Sequence, residues 1–584
     1  MRTIIAFYGF ALAVSTSLAA PPRGLRDKPE ETTKESKPAE SKKDSRKESK
    51  PAKATSQDAQ IAMLIKQLGD PTWQVREDAT KKLIEIGLPA RKPLMAATKD
   101  ADAEVAARSR RALEKIPWAV SSTDPADIKE LMAEYQNQDR DGRAQLLRSL
   151  ISKGRFKAIP PMMRIADLDP DEQIASAAAG YLMDLPFGTV TEYVRRYEFE
   201  SDRDDLQLLQ GWAWRLHDRK KSTALLGKVL ATCELSIDGG ASDEEIELRT
   251  MTLVAWLLEL GATDRVQAVL PKLEKAAPGD SRLIYLRARL AEIKGDKAQA
   301  AALVAQALAA PPRQGVEPIV GHALSAGFLK FHKWHEWEAN EWQAILKNSS
   351  AQPIHKVNAL ANLGYQAAHD ARFDEAAEHY TRAGDLAEDN NLALRGGWSS
   401  VQAEGAWNRA RSMMAKGDTS KLEDTIKEMI RLAPGHPDGA GELARLYAAN
   451  GRKEEAEKIL DEARDILLQK FEAAGGDPDD EDLVGGNIEN EEPNYHNNLA
   501  WTYVVANLRP AEALEEAKKA NAGAPFEVAY LDTLAESYFR NGNKAKAIET
   551  ERYALSLEPD NDYLKRQIKR FERGDKNEPV PLHR

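Results

Sequence analysis

One phrase returns along most of this chain, and its period constrains the fold more than any other feature. The clearest copy covers residues 531–561. Leu531, Leu534, Ala535 and Tyr538 fall on one helical face, and Asn541-Gly542 breaks the pattern. Ala547, Ala554 and Leu557 then line a second helix, which stops at Pro559. Alanines at fixed offsets let two helices approach closely, while the tyrosine and leucines fill the space between them. Gly542 suits the left-handed position that ends a helix. Ala410 to Ala444 and Val254 to Ala288 are each 34 residues apart. Helix pairs this short cannot bury a face alone, so the copies must stack on one another. The 584 residues are therefore not the roughly four globular domains that length alone suggests.

Other copies carry the same marks. Leu363, Gly364, Phe373, Ala376, Tyr380 and Ala383 make one; Leu443, Ala444, Tyr447, Gly451, Ala456 and Ala463 make another. Leu499, Ala500, Tyr503, Ala513, Ala517 and Ala520 repeat it with a small insertion, and Leu253, Val254, Leu257, Gly261 and Val266 form a degenerate copy. The phrase resembles the tetratricopeptide (TPR) repeat, over residues 206–571. That resemblance implies an all-α fold, an α-solenoid of stacked helical hairpins, and a binding surface as its product. After the last copy, Leu564, Ile568 and Phe571 share one face of an amphipathic stretch, with Lys565, Arg566, Lys569, Arg570 and Arg573 opposite. This reads as a capping helix with one face for the stack and one for water, closing a repeat region at 206–575.

The earlier chain has a different rhythm. Ile61, Leu64, Ile65 and Leu68 recur at helical spacing, followed by Asp70-Pro71, Val75-Arg76, Ala79 and Leu83. Asp100, Asp102, Val105, Arg108 and Ala112 repeat that phrase, and aspartates suit a helix N-terminus. The block at 58–200 resembles HEAT-type repeats, with a junction expected at 187–205. At the amino end, Arg2, an apolar run from Ile4 to Val14, and Ser17 and Ala19 make a secretory signal pattern at 1–19. Residues 20–57 are rich in Lys, Glu, Ser and Pro and bury too little to order, so they read as a charged linker. An acidic insertion, 472–493, reads as a loop.

Chemistry is sparse. A formal net charge of −11 argues against nucleic acid as a partner, because phosphate contacts need clustered Lys and Arg. Cys233 is the single cysteine, which excludes an internal disulfide. His335-Glu336 opens like a zinc-protease motif, but Ala339 stands where the second histidine belongs. No phosphate-binding loop or nucleophile elbow occurs, so the expectation is no enzyme, no cofactor and no metal.

In TPR proteins the first helices of successive repeats line a groove. Transferring that pattern points to Tyr365, Trp407, Arg411, Arg445, Asn494, Asn497, Trp501, Asp532, Glu536, Phe539 and Arg540 as a surface for a protein or peptide. Trp501 and Phe539 are expected to project into the groove as anchors outside the core. Of the places that clamp a C-terminal carboxylate in some TPR families, only Asn498 agrees, so that specificity is not carried over. The whole reads as an exported, bacterial-type envelope scaffold, periplasmic or secreted, with no membrane span after signal cleavage. A wall- or carbohydrate-binding scaffold using Trp334, Trp337 and Trp342 is the alternative, and an enzyme with a site between the repeat blocks a third.

Overall fold

The computed structural model describes residues 56–581, except 122, 186, 198, 200, 202, 241–243, 314, 393–397, 475–490, 575 and 577. The signal pattern, nearly all of the charged linker and most of the acidic insertion lie outside the described residues. Every regular element among the described residues is helical. The described residues divide into two compact units, one of 56–154 with 160–175, the other of 155–159 with 176–581.

The first unit holds α1 (Ser56–Gln67), α2 (Trp73–Ile86), α3 (Leu88–Ala97), α4 (Ala103–Lys115), α5 (Ala126–Met132), α6 (Arg140–Gly154) and α7 (Ile159–Leu168). Ile61, Leu64 and Leu68 of α1 share a core with Leu83 of α2, Leu94 of α3 and Val105 of α4. Asp102 caps α4, accepting from the backbone N–H of Glu104 at 2.8 Å. The buried Arg108 guanidinium is held by Glu104 at 2.7 Å and Glu77 at 2.9 Å, so its charge is paired and not stranded. Further on, the Tyr135 hydroxyl donates to Asp169 at 2.8 Å, and Arg164 pairs with Asp124 at 2.5 Å.

The chain enters the second unit within α8 (Glu172–Asp184). There α9 (Phe187–Arg196) leads into nine helical hairpins. These are α10 (Asp204–Trp214) with α11 (Arg219–Asp238), α12 (Glu244–Glu259) with α13 (Thr263–Ala276), and α14 (Ser281–Ile293) with α15 (Lys297–Ala309). Next come α16 (Pro318–Phe331) with α17 (His335–Lys347), α18 (Pro353–His369) with α19 (Phe373–Asp389), and α20 (Trp398–Lys416) with α21 (Leu422–Leu432). The row ends with α22 (Pro437–Ala449) and α23 (Lys453–Ala474), α24 (Glu491–Ala506) and α25 (Pro510–Gly523), and α26 (Val528–Arg540) and α27 (Lys544–Leu557), followed by α28 (Asp562–Arg573).

One turn chemistry makes eight of these nine hairpins. At Gly261, Gly295, Lys333, Ala371, Gly417, Gly451, Asn507 and Gly542 the backbone adopts positive φ. In each, the next residue's N–H reaches back five residues to a carbonyl near the end of the first helix. Ala262 to Leu257 (2.9 Å) and Asn543 to Tyr538 (2.9 Å) mark the first and last of the series. This is the Schellman closure, which satisfies carbonyls that the helix end leaves over. It extends the regular series back to residue 261. Neighbouring first helices also touch. A Cβ on Gly441 of α22 would lie 2.7 Å from the Val505 side chain and 2.8 Å from the Thr502 carbonyl of α24, so a glycine is needed there.

The alanines of the last repeat sit where close approach requires them. Ala535 and Ala554 are wholly buried, the second among Val528, Leu531, Leu557, Tyr563 and Leu564. Two expectations need correction. The stretch read as a junction contains α9, whose Phe187, Val190 and Val194 are buried. In α28, Leu564 and Phe571 pack on the stack as expected, but Arg570, placed on the water face, is 1% exposed and paired with Glu536. Buried carboxylate and guanidinium replace what the sequence pattern shows as a solvated cation.

Candidate partner-binding groove

The first helices of the last repeats carry the residues that matter here, and the structure sorts them into three groups. Trp407 and Trp501 share one core cluster with Leu443, Tyr447, Val504 and Val505. Trp501 is 4% exposed, and its indole N–H donates to Asp438 at 2.9 Å. Phe539 is 1% exposed and lies against Phe571 of α28, ring centroids 4.7 Å apart. The expectation that both aromatics project outside the core is therefore corrected. Each first helix covers its own second helix and a neighbouring element of the stack: Trp501 meets α22 of the preceding repeat, and Phe539 meets α28, which follows.

Asp532, Glu536 and Arg540 make up the next group, a buried polar seam beneath α28. Asp532 accepts from Gln567 at 3.3 Å and from the Tyr563 hydroxyl at 3.4 Å. Glu536 is bracketed by two guanidiniums, Arg540 at 2.8 Å and Arg570. Burial pulls the Arg540 pKa down, and Glu536 works against that. Arg540 also donates to Asn507 at 3.3 Å and to the backbone carbonyls of Lys576 and Glu578.

The remaining residues form the third group, some near the surface and some buried. Tyr365 of α18 is 38% exposed, with the Lys330 ammonium 5.3 Å from its ring centroid. Arg445 is half-buried and pairs with Glu442. Asn494 is half-buried, whereas Asn497 is buried, with Oδ1 lacking a hydrogen-bond partner among the described residues. Arg411 is buried and stacks over Phe373 at 4.2 Å.

One electrostatic feature escaped the sequence reading. Glu404 of α20 sits 4.0 Å from His436, which is 3.9 Å from Asp438. Burial pushes the Glu404 carboxyl up to about 7, with Arg411 opposing and Asp438 adding to the rise. Burial also lowers the His436 pKa. Neither residue belongs to the repeat phrase, so periodicity gives no signal for them.

The tryptophans of the wall-binding alternative are mostly core. Trp334 is 6% and Trp342 2% exposed, and the Trp342 N–H donates to the buried Glu338 at 2.9 Å. Trp337 is half-buried and stacks on Tyr285, centroids 5.9 Å apart.

The fold defines the class: an all-α repeat solenoid. Within it, residues 403–474, hairpins α20/α21 and α22/α23, match the family model described as Tetratricopeptide repeat. Among solved structures, yeast Tom70 is similar at 15% identity, covering 89% of this chain and 96% of that one, with a TM-score of 0.30. Naa15/Naa10 bound to HypK-THB gives 15% identity, 89% and 78% coverage and a TM-score of 0.28. The APC/C hetero-tetramer Cut9-Hcn1 gives 12%, 88% and 96%, and 0.28. No curated protein matches the sequence.

Proposed function

We propose that this chain is an exported, non-catalytic scaffold of the cell envelope that binds a protein or peptide through the first helices of its TPR-like repeats. The observation that carries the reading is the run of eight hairpins closed by one turn chemistry, with the family match at 403–474 inside it. Such a row presents repeated first-helix faces, and repeat proteins use such faces for binding. With Trp501 and Phe539 in the core, affinity falls to residues that remain reachable, Tyr365, Arg445 and Asn494. Export rests on Arg2, the apolar run and Ser17/Ala19. No helix among the described residues is long and apolar enough to cross a membrane. The HEAT-like reading of 58–200 belongs to the same proposal, as a second helical surface. Capturing partners from an envelope extract and measuring direct binding to the purified candidate tests it. A saturable protein partner supports the reading; retention on purified wall polymer, with no protein bound, contradicts it.

A further inference from the structure

Beyond the last helix the chain turns back onto its own repeats. After Gly574, which ends α28 at φ 87°, the described residues of 576–581 lie against Arg540, the last residue of α26, and Arg570 of α28. Arg540 donates to the carbonyl of Lys576 and, at 3.1 Å, to that of Glu578. Arg570 donates to the same Glu578 carbonyl at 3.3 Å. Two residues on, Val580 is 7% exposed and joins the cluster that holds Trp501, Val504 and Val505.

The chemistry of the two sides matches. Pro579 and Pro581 have no N–H, so this stretch of backbone offers mainly acceptors. The surface opposite offers donors from two buried guanidiniums. Carbonyls two residues apart meet one arginine, which is how an extended strand of peptide is read without regard to most side chains. One aliphatic side chain then fills an apolar site. Prolines also pre-set an extended backbone and so lower the entropy lost on docking.

We propose that Lys576 and residues 578–581 are an intramolecular ligand, and that a partner presenting an extended, proline-flanked aliphatic segment binds this surface by displacing them. The proposal rests on the binding-scaffold reading and adds the peptide class and the competitor. A tethered segment acts at an effective concentration on the order of millimolar. A segment of even ~100 μM intrinsic affinity would then weaken an incoming peptide about tenfold.

The test uses the full chain and a labelled synthetic peptide with the sequence of residues 574–584, followed by fluorescence anisotropy. Val580→Asp in the full chain removes the anchor and should tighten binding of the wild-type peptide at least tenfold. The same peptide carrying Val580→Asp should bind neither chain. Equal affinity for wild-type and Val580→Asp chains, or no binding to the Val580→Asp chain, overturns the proposal. If Val580→Asp lowers the melting temperature, Val580→Gly repeats the test without burying a charge. A protein partner that binds wild-type and Val580→Asp chains equally overturns the tail proposal alone and leaves the scaffold reading standing. Tail-peptide binding without any captured protein partner supports the tail proposal and counts against the scaffold reading.

Discussion

The indole of Trp501 fills core volume and donates a hydrogen bond to Asp438. Trp501→Ala should therefore cost about 3–5 kcal/mol in a urea melt, through the cavity it leaves. A change below about 1 kcal/mol, within the range of surface substitutions, would place the ring outside the core. Glu404 makes a prediction of the opposite kind. Its folded pKa, about 7, lies above the ordinary 4.5, so folding favours the protonated form. That contribution is fully present below about pH 4.5 and is lost as pH rises through about 7. The total is on the order of 3 kcal/mol. Arg411, His436, Asp438 and Tyr380 also act on this site, so the readout is the difference between wild type and Glu404→Gln. The variant should gain on wild type from pH 5 to pH 8; a difference constant with pH would contradict the assignment. These two residues also mark the edge of what sequence reveals. Ala535, Ala554 and Gly542 could be read because small residues and a left-handed turn are demanded by the repeat itself. Whether Trp501 faces a groove or the neighbouring first helix depends on a rotation of one residue or so. The insertion in that copy leaves that rotation open.

Among the elements, α28 bears the most on the site. It was legible as an amphipathic cap, but not as the partner of Glu536. Arg570 lies on the polar side of the helical wheel, where Lys565, Lys569 and Arg573 stay exposed, and it alone of these cations is buried by its pairing with Glu536. Glu536→Gln leaves Arg540 and Arg570 facing each other in the interior without a carboxylate. It should destabilise the protein by about 3–5 kcal/mol, the usual effect of breaking a buried pair. A chemical melt within about 0.5 kcal/mol of wild type would mean that the seam is solvated. Ala554→Leu probes the other contact of the last repeat. Ala554 is wholly buried, so added atoms should overpack the interface by ~1–3 kcal/mol. A neutral melt would contradict the helix approach described. The tail that follows α28 had no periodicity to read, since its contacts are made by carbonyls and a single valine.

At the scale of the whole repeat unit, the row returns to its own beginning. Thr189 of α9 donates to Glu527 at 2.6 Å, and Tyr193 packs edge-on against Phe526 at 4.8 Å. These contacts link residues more than three hundred positions apart, which no period of 34 can announce. Phe526→Ala should reduce the cooperativity of unfolding as well as stability, seen as a broader thermal transition. An unchanged transition would show that the two ends are energetically independent. Export is checked at this scale too. The mature chain should begin near Ala20, and Met1 on native protein would refute it. The central claim is that a protein partner engages the first helices, and titration calorimetry with the purified partner tests it most directly. A large, reachable aromatic is the expected anchor, so Tyr365→Ala should weaken binding by ~2 kcal/mol, about thirtyfold, with the melting temperature unchanged. Binding of the same partner at unaltered affinity by Tyr365→Ala, Arg445→Ala and Asn494→Ala alike would contradict the account.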